Sequence, residues 1–316
     1  MVIDINTGRT NEESGIKQNS LKAWILAARP KTLSGAMVPV MLGSAYAWRT
    51  FYDNGGEMDF DNPAFATSLI ATILCFLFAM VMQIDANFVN DYFDCVRGND
   101  YEGRLGPERA CTMGWVSLPA MRWAMAITTT VACLIGLPLV LVGGWNMIFV
   151  GIACVVFCFL YTTCLAGLGL GDLLVLIFFG IVPVCCTAYL ICGEIPWLIG
   201  ISCGMVVDTL LIINNYRDID NDRVSGKRTL VVFIGKKYAE WLYITLPTLA
   251  LVIILVIYGL IEKNILLCFG VYFLFVQTWN QMRAIGAGRA LNKTLGKTAR
   301  NILAYGILIS LLIIFA

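Results

Sequence analysis

The sequence predicts an all-α fold, a polytopic membrane bundle of nine transmembrane helices, and three observations carry that prediction. The 316 residues are 59% hydrophobic and only 14% charged, against a charged share of about 25% in soluble domains. Apolar runs recur along the chain at the roughly 20-residue length that an α-helix needs to cross the hydrocarbon core. Lys and Arg gather in alternate connections, the pattern produced when basic residues are retained on the cytoplasmic side.

The spans fall at 32–49, 64–90, 119–142, 145–163, 171–192, 197–214, 240–260, 264–281 and 301–316. What remains leaves no room for a soluble second domain, so residues 1–316 read as one intramembrane domain with a polar tail over 1–20. Met1 to Ser20 lacks the apolar core of a signal peptide, and no cleavage is expected. With the N-terminus in the cytoplasm, nine spans place 20 of the 22 Lys and Arg on one face and only Arg49 and Lys263 on the other. One span more or fewer in the middle would put basic loops on both faces. The expected location is therefore the cytoplasmic membrane, multi-pass, with the N-terminus and the basic loops cytoplasmic. The loop from Tyr52 to Asp61 carries Asp53, Glu57, Asp59 and Asp61 without a base and reads as an outer loop.

The net charge of +1 gives no sign of a nucleic-acid partner. Topology and contact with anionic membrane lipid account for the bases. Most of the 12 cysteines, among them Cys75, Cys133, Cys154, Cys158, Cys185 and Cys186, lie inside apolar spans and read as small hydrophobes. No spacing matches a zinc ligand set. The chain contains no His, which removes the usual general base and the usual transition-metal ligand. Chemistry is left to carboxylates, Lys, Arg, Tyr and backbone.

Two segments stand out. The second span runs into Gln83, Asn87, Asn90, Asp91 and Asp94, which at spacings of three and four form one polar stripe on a helix. Asp91 and Asp94 repel one another unless a cation lies between them, and hard oxygen donors without nitrogen or sulfur favour magnesium, which in turn favours phosphate oxygens. The sixth span ends in the same way: Asn214, Asp218 and Asp222 repeat every four residues, and Arg223, Lys227 and Arg228 follow. That arrangement suits a diphosphate held by metal on one side and by charge-assisted hydrogen bonds on the other. A solvated cap is the ordinary reading of acids beside a span. Against it, both segments begin with Asn inside the span, both repeat at helical spacing and both lie on one face, where polar residues at membrane depth are expensive.

At these residues the chain resembles the UbiA superfamily of intramembrane aromatic prenyltransferases, and within it the naphthoate branch of menaquinone synthesis. The resemblance covers nearly the whole chain. It rests on Ala28-Arg29-Pro30-Lys31-Thr32-Leu33, on Asn90-Asp91-Tyr92-Phe93-Asp94 with Gly98 and Asp100, and on Arg104-Leu105-Gly106-Pro107 followed by Arg109-Ala110. It continues in Gly169-Leu170-Gly171-Asp172 and in the block from Asn214 through Arg217, Asp218 and Asp222 to Gly226-Lys227-Arg228-Thr229-Leu230. The resemblance implies nine helices around a central cavity, with Mg2+ and a polyprenyl diphosphate at the two acidic motifs. By residue match, Asn90, Asp91 and Asp94 serve one metal site and Asp218 and Asp222 another, while Lys227, Arg223 and Arg228 meet the diphosphate. Asp91, Asp94, Asp218, Asp222 and Lys227 are expected to carry catalysis. Arg29 is expected to bind an anionic substrate group, and Asn87 and Asn214 to meet substrate.

Two departures from the family pattern bear on the site. A third carboxylate is expected four residues after Asp94, where this chain has Gly98, with Asp100 two positions on. A turn at Gly98 brings Asp100 to the metal, whereas a continued helix leaves it about 120° off the stripe. The loop from Tyr161 to Leu168 is shorter than in relatives and lacks their prolines, which leaves Tyr161 and Asp172 as candidates for orienting the aromatic acceptor. The activity implied is transfer of a polyprenyl group to 1,4-dihydroxy-2-naphthoate with loss of carbon dioxide. Another aromatic acceptor, such as 4-hydroxybenzoate or homogentisate, is the alternative within the family. A transporter using intramembrane Asp85, Asp208 and Asn87 is the alternative of another class. Nothing in the sequence speaks to oligomeric state.

Overall fold

Apolar runs of the observed length can satisfy their backbone groups in lipid only as helices, and the described residues form helices joined by short turns. A computed structural model of the chain describes residues 15–57, 59–98 and 105–316. The helices are α1 (Leu21–Ala28), α2 (Leu33–Asp53), α3 (Pro63–Val96), α4 (Leu118–Gly143), α5 (Asn146–Leu160) and α6 (Gly171–Leu176). They continue as α7 (Val182–Cys192), α8 (Trp197–Val224), α9 (Leu230–Ile234), α10 (Lys236–Tyr258), α11 (Glu262–Ile285) and α12 (Leu291–Phe315). A widened turn over Ile177–Ile181 makes α6 and α7 one continuous span.

Among the described residues, eight helical segments are long and apolar enough to cross a membrane; seven of them begin close to the start of an expected span, although α3 and α8 run on beyond its end to Val96 and Val224. The eighth, α12, begins ten residues before the expected 301. The ninth expected span falls in α2, which has the length, 21 residues, but not the apolarity. Gly35, Gly43, Ser44 and several alanines dilute its hydropathy. Ten of its residues are buried in the bundle, where it packs chiefly on α7 and α12. A helix enclosed by other helices needs small side chains for close approach more than it needs a lipid-facing surface.

The main core lies among α2, α8, α10, α11 and α12 around the fully buried Tyr216, Tyr243, Phe275 and Tyr305. Its hydroxyls are paired across helices: Tyr305 with Ser202 at 2.6 Å and Tyr243 with Thr298 at 2.7 Å. The α5 span presents Phe149 and Val156 outward and lines a cavity of about 570 Å3 with its other face. That cavity runs between α2, α3, α4, α5, the α6–α7 span and α8, and is walled mainly by apolar side chains.

The residues expected as a loop over 161–168 continue α5 instead, as a widened turn (Tyr161–Leu165) and a tight one (Ala166–Leu168) that stops at Gly169 with φ +83°. Without the relatives' prolines, nothing breaks the helix before the glycines. Gly169 is needed for a second reason: a Cβ there would stand 2.6 Å from the Arg228 carbonyl oxygen.

A backbone-close crossing joins α8 to the α6–α7 span. A Cβ at Gly180 would lie 2.5 Å from Gly204 Cα, and one at Gly204 would lie 2.7 Å from the Leu176 carbonyl oxygen. Gly200 and Gly204, one turn apart, form a small-residue seam of the kind that lets helix backbones touch in membranes. Gly180→Ala and Gly204→Ala are each expected to lower stability by about 1–3 kcal/mol through overpacking. Gly151→Ala, where a Cβ meets nothing within 4 Å, is expected to be neutral. Thermal unfolding in detergent checks all three.

Candidate active site

One end of the bundle collects nearly every charged side chain that the sequence marked. The α3 helix runs on past the expected span to Val96, so Asn90, Asp91 and Asp94 are helical residues, and the chain turns at Gly98 with φ +65°. Of the two courses left open at Gly98, the chain takes the turn. Asp100 lies outside the described residues, as does Arg104. The α8 helix likewise runs on to Val224 and carries Asn214, Asp218 and Asp222. Asp222 lies within electrostatic reach of Asp218 on its own helix and of Asp94 on α3, so the two motifs face each other.

Asp91 is fully buried. Its Oδ2 accepts from the Ala110 amide and its Oδ1 from the Cys111 amide, both at 3.0 Å, and Arg29 Nη2 lies 4.0 Å away. Through these two contacts it anchors the segment that follows Leu105. The chain geometry explains this: Asp91 sits on the inner side of the stripe, where two buried N–H groups need an acceptor. Asp94 is paired with Arg109 at 2.6 Å. Asp218 receives both arms of Arg217, Nε to Oδ1 at 2.8 Å and Nη2 to Oδ2 at 2.6 Å.

The Arg217 fork reaches further. It donates to Asn214 Oδ1 and to Asn292 Oδ1, each at 2.8 Å, and Asn292 Nδ2 donates to the Leu105 carbonyl at 2.8 Å. One guanidinium therefore ties α8 to the start of α12 and, through Asn292, to the segment held by Asp91. Asp222 faces Lys227 at 3.9 Å, while Arg223 pairs with Asp220 at 3.7 Å on the exposed side. The Arg228 amide donates to the Gly167 carbonyl at 2.9 Å, which folds the basic turn back over the end of α5.

Of the remaining expected residues, Asn87 donates to the Ala28 carbonyl and to Thr32 Oγ1, each at 2.9 Å. It fixes the junction of α1 and α2 rather than projecting into the cavity. Arg29 caps α1 in the left-handed region, φ 50°, a strained backbone for a residue with a Cβ. Burial lowers its guanidinium to about 10, with Arg109 adding to the shift and Asp91 and Asp94 opposing it, so it stays charged at neutral pH. Asn90, Tyr161 and Asn214 line the cavity at the end where the acids gather. Asn90 accepts from Thr162 Oγ1 at 2.5 Å. Arg97, which had no expected task, donates to the Thr162 and Thr163 carbonyls and secures the widened turn.

Sequence reasoning missed Arg109, Arg217 and Asn292 as organisers of the site. Arg109 and Arg217 stood inside the motifs quoted above, but a cation beside an acid is ambiguous without its partner. Asn292 had no local signal.

A model of the UbiA prenyltransferase family matches residues 33–293. The 1,4-dihydroxy-2-naphthoate octaprenyltransferase of Escherichia coli strain K12 is 36% identical over 231 residues, 69% of this chain and 70% of the relative. The protein of the same name from Mycobacterium leprae is 31% identical, over 71% and 73%. Among solved structures, the apo form of a UbiA homolog from Aeropyrum pernix K1 aligns with a TM-score of 0.64 at 17% identity, covering 89% of this chain and 97% of that one. A UbiA homolog from Archaeoglobus fulgidus bound to DMAPP and Mg2+ aligns with 0.59 at 13%, covering 90% and 98%. At these identities the structural likeness is one of fold.

Asp91→Ala leaves two buried amides without an acceptor and Arg29 without its nearest anion. It is expected to destabilise the protein by about 2–5 kcal/mol and to expose the Ala110 and Cys111 amides to hydrogen exchange. Asp94→Ala removes the pair with Arg109 but leaves the Asp91 contacts to Ala110 and Cys111 in place, and is expected to leave those two amides protected. Hydrogen-exchange mass spectrometry on the purified variants separates the two.

Proposed function

Because the chain belongs to the UbiA prenyltransferase family, we propose that it transfers a polyprenyl group from polyprenyl diphosphate to 1,4-dihydroxy-2-naphthoate, with loss of the ring carboxylate as carbon dioxide. The observation that carries the reading is the meeting of two acidic helix ends and a basic turn at the mouth of an apolar cavity. The names of the relatives more than 30% identical support the acceptor. The membrane would be the cytoplasmic one, with the charged end of the bundle facing the cytoplasm, a reading that the distribution of Lys and Arg supports.

The donor set suits magnesium. No three acidic, Cys or His side chains among the described residues converge on a closed metal cage, but magnesium keeps several waters and binds through one or two carboxylates together with substrate phosphates. Asp94, Asp218 and Asp222, all-oxygen donors from facing helices, are the side chains that would hold it, and it would neutralise the diphosphate as a leaving group. The bound form of the Archaeoglobus homolog supports the same chemistry.

The chain's own residues supply the rest. Lys227, Arg228 and Arg223 follow Asp222 on the basic turn and offer donors to the diphosphate, with Arg29 on the opposite side. Cationic donors held in place before reaction stabilise the charge that develops as the allylic C–O bond breaks. The apolar walls take the prenyl tail and exclude water from the carbocation. An electron-rich naphthoate ring attacks without a protein base on carbon, which agrees with the absence of His.

Purified protein assayed with one prenyl diphosphate is expected to prenylate 1,4-dihydroxy-2-naphthoate well above 4-hydroxybenzoate or homogentisate. Chelation of divalent metal is expected to stop turnover and Mg2+ to restore it. Asp218→Ala is expected to cut kcat/KM by at least about 100-fold while membrane insertion persists. Preference for 4-hydroxybenzoate would overturn the acceptor, and full activity in chelator would overturn the metal.

A further inference from the structure

The first helix is too short to cross a membrane, yet its outer face is apolar. α1 has 8 residues, Leu21–Ala28, against the roughly 20 that a span needs. Its Ala23 and Ala27 are buried in a core cluster shared with the end of α3, the segment 110–116 and the start of α4, and Trp24 sets its ring edge-on to Phe88, 5.7 Å between centres. The opposite face carries Leu21, Ile25 and Leu26, all exposed, with the exposed Lys22 among them. On a helix these four fall within one arc of about 140°. A contiguous apolar face edged by charge marks a surface that something covers.

What covers it follows from where α1 sits. It packs against Ile84, Phe88 and Tyr92, the stretch of α3 in which apolar residues give way to the polar stripe, so it is level with the membrane boundary and not with the hydrocarbon core. Its run-in is fastened to that of α4: the Asn19 amide donates to the Trp115 carbonyl at 2.7 Å, and the Ser117 amide donates to Asn19 Oδ1 at 3.1 Å. The first turns of α1 and α4 therefore begin side by side. They bring the exposed Lys17 and Lys22 to the same level as the exposed Arg122 and Trp123. Residues 15–32 and 113–128 contain no Asp or Glu, so this surface is cationic without an internal counter-ion.

We infer that α1 lies flat in the headgroup layer as an interfacial anchor, with Leu21, Ile25 and Leu26 at the acyl boundary and Lys17, Lys22 and Arg122 on the phosphates of anionic lipids. Apolar and cationic groups alternate on one face, and a lipid headgroup with its acyl chains meets both, as a soluble anion does not. Trp123 is the kind of side chain that settles at that depth. α1 ends one residue before Arg29, whose Nη2 lies 4.0 Å from Asp91 Oδ2, and Asn87 holds the Ala28 carbonyl. The anchor thus fixes that arginine at the edge of the charged cluster, and the charge of the membrane reaches the cluster through it.

The test uses the full-length protein, one copy per nanodisc, in phosphatidylcholine alone and in phosphatidylcholine with phosphatidylglycerol. Hydrogen-exchange mass spectrometry reads the helical amides from Trp24 to Ala28, with peptides of α8 as the control that the bundle is intact. Exchange in α1 is expected to be at least about tenfold slower in the anionic discs. The difference is expected to vanish in about 0.5 M salt and in the double variant Lys17→Gln with Lys22→Gln. Leu21→Ser with Ile25→Ser is expected to speed exchange in both membranes, because it removes the apolar contact and leaves the charges. Equal exchange in the two membranes would overturn the inference; if deletion of residues 1–14 then speeds exchange, the tail and not lipid covers the face. A lipid difference that survives the lysine variant would overturn it as well. Protection conferred by inorganic phosphate in the neutral discs would assign the cations to a free anion instead.

Discussion

Arg217 is the interaction on which the charged end of the bundle depends. Its guanidinium makes a bidentate pair with Asp218 and single bonds to Asn214 and Asn292, while its side chain is only 1% exposed. A buried arginine keeps its proton and its planar fork fixes geometry, so it holds the Asp218 carboxylate group in one orientation. Lysine at that position would keep the charge and lose three of the four directions. Arg109 does the same for Asp94 with a single close contact. The site is thus assembled by protein cations before any ligand enters it.

That assembly separates two tasks that a cluster of aspartates would otherwise blur. Asp91 is spent on backbone: it holds Ala110 and Cys111, and through them the segment on which Arg109 sits close to Asp94. Asp94 on α3 and Asp218 and Asp222 on α8 offer the oxygen donors that a divalent ion and a diphosphate would require. Removing Asp91 would act on Asp94 through Arg109, so loss of activity alone does not distinguish a ligand from a scaffold.

What the sequence revealed follows from the range over which its signals act. Hydropathy and helical spacing are local, and they located seven spans, both acidic stripes and the turn at Gly98. The α2 helix escaped the composition rule because enclosure by α7 and α12 substitutes Gly, Ala and Ser for lipid-facing apolar residues. The tasks of Asp91, Asn87 and Arg217 depend on partners from 19 to 75 residues away, which no local pattern encodes. The widened turns at Tyr161–Leu165 and Ile177–Ile181 were likewise invisible, since they are set by what the helix must pack against.

The glycine seam and the charged end are one design seen at two depths. Gly180, Gly200 and Gly204 bring α8 against the α6–α7 span at backbone contact, and a side chain larger than hydrogen at any of them would push the helices apart. One turn beyond that contact, the same close approach sets Asp208 against Asp172. Two turns beyond Gly204, Asn214 and Leu211 form the cavity wall beside Tyr161, and another turn on lies Asp218 with its arginine. Displacement at the seam is therefore carried along a rigid helix to the acids, with no hinge between them. Packing at the seam thus sets where the α8 acids stand relative to the α6–α7 span.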